Sequence, residues 1–319
     1  MTLRIPSARL LAALLLLAAP AAAQAPASNL KLGWAPKPLS APFVAPNRAH
    51  WRLAELQKAH AGEKSWSQVV VRDANQLMAA YIQAAPGEIS PRIFYSDTTS
   101  FFVVQSGQLR VMIEGVEPFI ATKGFVVQVP PARFFQVENI DSEPSLRFQV
   151  TRTLAHPVYA EGQTPAPIPG VAYGRSGFYT QPGAYAEGKK PFIDFQKDIV
   201  AGGMAGRGAV RDDYLAANIN RAASVPRPPD SDKGHFHVAY SEFWFILENQ
   251  VDFLIEGVPF FTATQGDVVY APQGRWHRAT SGGTGMATRI SIHPTGTSFN
   301  ALDPANPGAA AGRGGRGGE

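Results

Sequence analysis

The chain contains no cysteine. That excludes disulfides, thiolate metal sites, a cysteine nucleophile and a lipidated N-terminal cysteine. Charge is also scarce, at 17% of 319 residues, while 45% are hydrophobic. Such a composition excludes disorder along the whole chain and supplies enough apolar material for a sizeable core. The formal net charge of +4 includes Arg4 and Arg9, and in the last residues Arg313 and Arg316 against Glu319. Without these the remainder is close to neutral and carries no basic stripe, so nucleic acid is not an expected partner. Beyond the first two dozen residues no apolar run is long enough to span a bilayer. There is no nucleophile elbow, and no dinucleotide fingerprint in a strand–helix setting. Gly183 to Lys189 imitates a phosphate-binding loop, but no Ser or Thr follows the lysine and Pro191 is awkward for the helix that loop requires.

The two ends have their own textures. Residues 1–23 read as a secretory signal: Arg4 and Arg9 give the positive start, Leu10 to Leu17 the short apolar run, and Ala21-Ala22-Ala23 the small side chains of a cleavage site. The expectation is a bacterial periplasmic or secreted protein with no membrane attachment after cleavage. Residues 24–65 read as an N-terminal arm and helix. Ser28 to Pro46 is proline-rich and extended, and Trp51, Leu53, Ala54 and Leu56 space an amphipathic helix over Asn47 to His60, with Gly62 as its stop. Residues 300–319 read as a disordered Gly/Arg tail.

Between these ends the texture is all-β. Short runs of Val, Ile and Phe, such as Phe101–Val104, Leu109–Ile113, Phe125–Val129 and Leu146–Val150, alternate with Gly/Pro turns. A shift of 142 residues lays Phe101 on Phe243, Ile113-Glu114-Gly115-Val116 on Ile255-Glu256-Gly257-Val258, Gly124 on Gly266, Pro130 on Pro272, Arg133 on Arg275 and Arg147 on Arg289. Over 93–147 the shift gives sixteen identities without a gap. A period this long is a duplicated domain. The boundaries expected from it are a first copy at 66–155, a linker at 156–200 and a second copy at 201–299.

The second copy carries the chemistry. His235 and His237 are two apart, so in a strand both imidazoles point one way and Phe236 the other. Glu242 opens the apolar run Phe243 to Leu247 and would share a face with Trp244 and Ile246. Pro272-Gln273-Gly274 makes a tight turn that aims His277 at the first strand pair. Three imidazoles and one carboxylate suit one divalent first-row metal, Fe, Mn, Ni, Cu or Zn. Of the seven histidines, His50, His60 and His156 fall outside the β core and read as ordinary, and His293 ends a strand of the second copy. Trp244, Phe253, Phe260, Phe261 and Trp276 read mostly as core.

Gly234, His235-x-His237 and Glu242 together resemble the first cupin motif. Gly266, Pro272-x-Gly274 and His277 resemble the second in every spacing. In the first motif the leading glycine is displaced, and Asn249 stands where a glycine usually closes the turn; Asn in a left-handed conformation can make it. The resemblance covers 235–293 and, through the repeat, 93–150. It implies a bicupin: an all-β chain of two tandem jelly-roll barrels (double-stranded β-helix) with a short N-terminal helix. In the first copy the ligand positions become Ile93, Tyr95, Ser100 and Phe135, which implies a filled barrel and one metal per chain, in the C-terminal barrel.

What the resemblance implies for function is a menu: a metal-dependent oxidoreductase or lyase of dioxygenase or decarboxylase type, acting on a small oxygenated or organic-acid substrate. A non-catalytic metal-containing protein that binds a small ligand is the alternative, and a storage-like bicupin a third. Tyr240, Glu256 and His293 are candidates by alternation for a general acid or base, and none is assigned as catalytic. Cupins associate through exposed sheets, so a homodimer is a compatible assembly.

Overall fold

Alternation sets the architecture. In the strand Glu242–Glu248, Phe243, Phe245 and Leu247 enter one core and Trp244 and Ile246 another. In Ser100–Ser106, Phe101 and Val103 likewise part from Phe102 and Val104. Strands buried on both faces explain why these segments read as unbroken apolar runs.

The computed structural model describes residues 33–73, 76–179, 181–204, 206–295 and 300–303. The expected signal, residues 1–23, lies outside them, and among them no helix is long and apolar enough to cross a membrane. The described residues form two antiparallel jelly-roll barrels, each of a six-stranded and a five-stranded sheet. In the first barrel the larger sheet runs Phe192–Ile193, Val126–Val129, Ser100–Ser106, Ser145–Arg152, Leu77–Ala84, Trp66–Arg72; the smaller runs Val158–Tyr159, Ile93–Phe94, Phe135–Asn139, Leu109–Ile113, Phe119–Ala121. In the second the larger runs His50–Trp51, Val268–Ala271, Glu242–Glu248, Met286–Pro294, Leu215–Ala223, Gly206–Arg211; the smaller runs Val258–Thr264, Gln250–Ile255, His277–Ser281, His235–His237, Asn300–Leu302. The six-stranded sheets meet back to back, with Phe148 stacked on Phe245 at 4.9 Å between ring centroids. This inter-barrel core is separate from the filling of each barrel.

The N-terminal segment and the linker are exchanged between the barrels. His50–Trp51 pairs with Val269–Val268 of the second barrel, and Phe192–Ile193 pairs with Val127–Val126 of the first. Each pair is followed at once by a short helix, Leu53–Ala59 and Phe195–Ala201, the latter of π type. Three expectations are corrected here. The N-terminal helix is confined to Leu53–Ala59, because His50 and Trp51 are drawn into a sheet and Asp267 Oδ1 accepts the Leu53 N–H at 2.9 Å. Residues 192–200, expected as linker, pair with the first barrel through Phe192–Ile193 and pack into the inter-barrel core through Ile193, Phe195 and Ile199. Residues 300–302 are not tail: they pair with His235–His237, and Ala301 is buried. Residues 304–319 lie outside the described residues.

The repeated residues build the same turn twice. Arg133 Nη1 donates to the Glu114 carbonyl at 2.7 Å and Phe134 N to the Glu114 carboxylate at 3.1 Å. Arg275 Nη1 and Trp276 N do the same to Glu256 at 2.6 and 3.1 Å. Asn249 closes its turn at φ 59°, the left-handed conformation its position requires.

Candidate metal centre

His235 and His277 are direct cross-strand partners, with ring centroids 4.4 Å apart. Their close approach depends on Gly234. Its φ is +79°, and a Cβ there would lie 2.2 Å from the His277 carbonyl oxygen. His237 follows on the same face, while Phe236 turns outward onto Trp276 at 4.8 Å. Glu242 comes from the opposite sheet, paired with Ala271. The Pro272–Gly274 turn is fastened to both: Gly274 N donates to the His237 carbonyl at 3.0 Å and Gln273 N to Ser241 Oγ at 3.2 Å.

The result is a convergence inside the C-terminal barrel. Glu242 Oε2 lies 2.9 Å from His237 Nε2, 3.2 Å from His277 Nε2 and 3.7 Å from His235 Nε2. All four residues are buried, and their ligand atoms lie within 4.8 Å of one another. Adjacent ligands of a metal at about 2.1 Å would be about 3 Å apart, close to these separations.

The protonation pattern suits a cation. His277 Nδ1 is 2.9 Å from the Arg275 carbonyl, which can only accept, so Nδ1 carries the proton. In the neutral ring, Nε2 then presents a lone pair to a carboxylate oxygen, two acceptors that a cation between them would reconcile. Burial, and then the neighbouring His277, pull His235 down to about 3. Burial works to raise the Glu242 carboxyl, but the three imidazoles outweigh it and hold it well below the usual carboxylate range. A neutral imidazole and an ionised carboxylate are the forms that bind metal. Among the described residues no Lys or Arg lies within ion-pair distance of Glu242. The set therefore fits a divalent metal, of identity that the ligands alone do not select.

Around the ligands, Trp244 stands edge-on to His277 at 5.3 Å. Tyr240 stacks on His237 at 4.2 Å and on His293 at 5.4 Å. Of the three acid–base candidates, Tyr240 and His293 thus border the site. Glu256 does not: its carboxylate serves a surface turn with Lys37, Ser40 and Trp276 N. His50 is no ordinary histidine either, since its Nε2 is 2.9 Å from Asp267 in the sheet. Sequence reasoning missed Asn218. Its Oδ1 accepts from Gly208 N at 2.7 Å, so its Nδ2 donates to His293 Nε2 at 3.1 Å. The signal was present in Leu215–Ala223, where Asn218 and Asn220 alternate with Ala217 and Ile219 of the inter-barrel core.

In the first barrel the same positions are apolar or uncharged. Ile93 and Phe135 are cross-strand partners as His235 and His277 are, and both pack in the barrel core with Tyr95.

No protein-family model matches the sequence, and no curated protein matches it. Among solved structures the chain is similar to salicylate 1,2-dioxygenase from Pseudaminobacter salicylatoxidans, with 14% identity and a TM-score of 0.54 over 81% of this chain and 85% of that one. A variant of that enzyme in complex with gentisate gives 13% identity and a TM-score of 0.56, covering 81% and 83%. A cupin 2 conserved barrel domain protein from Leptotrichia buccalis gives 10% and 0.50, covering 77% and 96%. The chain has the bicupin fold. Among the described residues the sole cluster of three or more side chains that could ligate a metal is His235, His237, Glu242 and His277, in the C-terminal barrel.

Proposed function

We propose that this bicupin is an exported metal-dependent enzyme of dioxygenase or decarboxylase type, acting on a small oxygenated or organic-acid substrate. The observation that carries the reading is the convergence of three imidazole Nε2 atoms on one carboxylate oxygen inside a barrel. Four protein ligands leave two positions of an octahedral metal for substrate, water or dioxygen, and a bound divalent ion supplies Lewis acidity and, if redox-active, oxygen chemistry.

The chain's own residues prepare the place. The Arg275 carbonyl fixes the His277 tautomer, and stacking on Tyr240 fixes the His237 ring. Trp244 and Tyr240, both buried, stand against the His277 and His237 rings. One carboxylate leaves a divalent site with a net positive charge, which favours anionic or enolic oxygens. Salicylate and gentisate, named with the similar dioxygenase structures, are the first substrates to try.

Elemental analysis of protein purified without chelators, followed by oxygen-uptake and product assays on such acids, tests the proposal. The expected result is about one transition metal per chain and turnover that His277→Ala abolishes. Absence of metal from intact protein, or full turnover by His277→Ala, would overturn it. Metal-dependent ligand binding without turnover would establish the non-catalytic alternative.

A further inference from the structure

The first barrel holds a buried cation with no ion-pair partner among the described residues. Leu146, Phe148 and Val150 face the inter-barrel core, so Arg147 and Gln149 between them point into the first barrel. Arg147 is only 7% exposed. Of the five N–H donors of a guanidinium, Nε–H is given to Gln149 Oε1 at 3.2 Å. Among the described residues no carboxylate lies within ion-pair distance of Arg147. Glu88 is near enough to act on it, but its carboxylate already accepts the Ala85 N–H at 2.8 Å. Burial draws the guanidinium down to about 10, so it stays charged at neutral pH. A buried charge without a close ion-pair partner is costly.

The side chains around the guanidinium are largely apolar. Phe102 lies beneath the guanidinium at 5.8 Å, and Ile93 and Phe135 line the same interior. Tyr95 stands where the second barrel has His237, and burial pushes its phenol up to about 12, so it remains an O–H donor. Tyr159 and Tyr173, packed edge to face at 5.6 Å, are close enough to influence it. We infer that the N-terminal barrel is a second, metal-independent ligand site, which takes a small organic carboxylate in a two-pronged contact with Arg147 beside Tyr95 and Gln149. The guanidinium fork matches a carboxylate, and the apolar walls select an acid with a hydrophobic body over an inorganic anion.

Calorimetric titration of metal-depleted protein at constant ionic strength tests this, with benzoate, acetate and sulfate as probes. Depletion removes binding of the acid to a metal. Benzoate is expected to saturate at one per chain, with acetate weaker by about tenfold or more. Arg147→Gln is expected to weaken benzoate at least about tenfold, and Tyr95→Phe about three- to tenfold. His277→Ala should leave benzoate binding unchanged, which separates this site from the metal centre. If Arg147→Gln does not fold, Tyr95→Phe carries the test. No saturable binding of benzoate, equal binding of sulfate, or loss of binding in His277→Ala would overturn the inference.

Discussion

Leu53 rests directly on Gly266: a Cβ on that glycine would lie 2.5 Å from Leu53 Cδ2. The repeat places Phe195 on Gly124 in the same way, where a Cβ would lie 2.8 Å from Phe195 Cβ. Both glycines have φ near +90°, and both survive in the two copies because each receives the helix exchanged onto its barrel. Gly266→Ala should therefore cost about 2–4 kcal/mol, from the left-handed backbone and the clash together. Thermal or urea unfolding would measure it. A loss below about 0.5 kcal/mol would contradict the contact.

Tyr240 positions a ligand by stacking on His237. Tyr240→Ala should lower metal affinity about 10–100-fold, the usual effect of removing a group that orients a ligand. Tyr240→Phe keeps the ring and should keep most of the affinity. Competition against a chromophoric chelator reads both. Equal affinity in all three proteins would mean that the ring only fills space.

The metal-free protein should lose stability in acid, with a sign that follows from the centre. His235 is held at about 3, below its ordinary 6.5, so the unfolded chain takes up that proton first. Stability from this group is fully present above about pH 6.5 and declines as pH falls towards 3. Glu242 is also held low, so its contribution is present above its unfolded value near 4.5 and is lost as pH falls further. Urea denaturation of metal-depleted protein between pH 3 and 8 checks this. In His235→Ala the decline between pH 6.5 and 4.5 should be shallower.

Asp73 behaves in the opposite sense. It is buried between the barrels, where Tyr270 Oη donates to its Oδ1, and burial raises its carboxyl despite that bond and the Ser241 hydroxyl. A raised folded value means that folding favours the protonated acid, so the penalty of the charged form grows as pH rises through the interval above 3.8. Asp73→Asn should therefore gain stability relative to the parent as pH rises from 4 to 8. A relative stability that is flat with pH would show that Asp73 titrates normally.

Much of the centre was legible in the sequence because its signals are local. The i, i+2 spacing of His235 and His237 settles their common face, as Phe236 turning onto Trp276 bears out. The turn before His277 and the left-handed Asn249 are also short-range matters of backbone chemistry. The duplication was visible as identity, and Ile93 paired with Phe135 follows from it.

What only the tertiary structure decided is non-local pairing. Nothing within Asn47 to His60 says that His50 and Trp51 leave a helix for a strand, because the partner, Val268–Val269, is more than two hundred residues away. The same holds for Asn300–Leu302 beside the histidine strand and for Asn218 reaching His293. Side-chain periodicity assigns each residue to a face, but hydrogen bonds between distant strands determine which face meets which. The sequence by itself therefore determined the two barrels and which four side chains are candidates to hold a metal, while the exchange of segments between barrels and the neighbours of those four side chains came from packing alone.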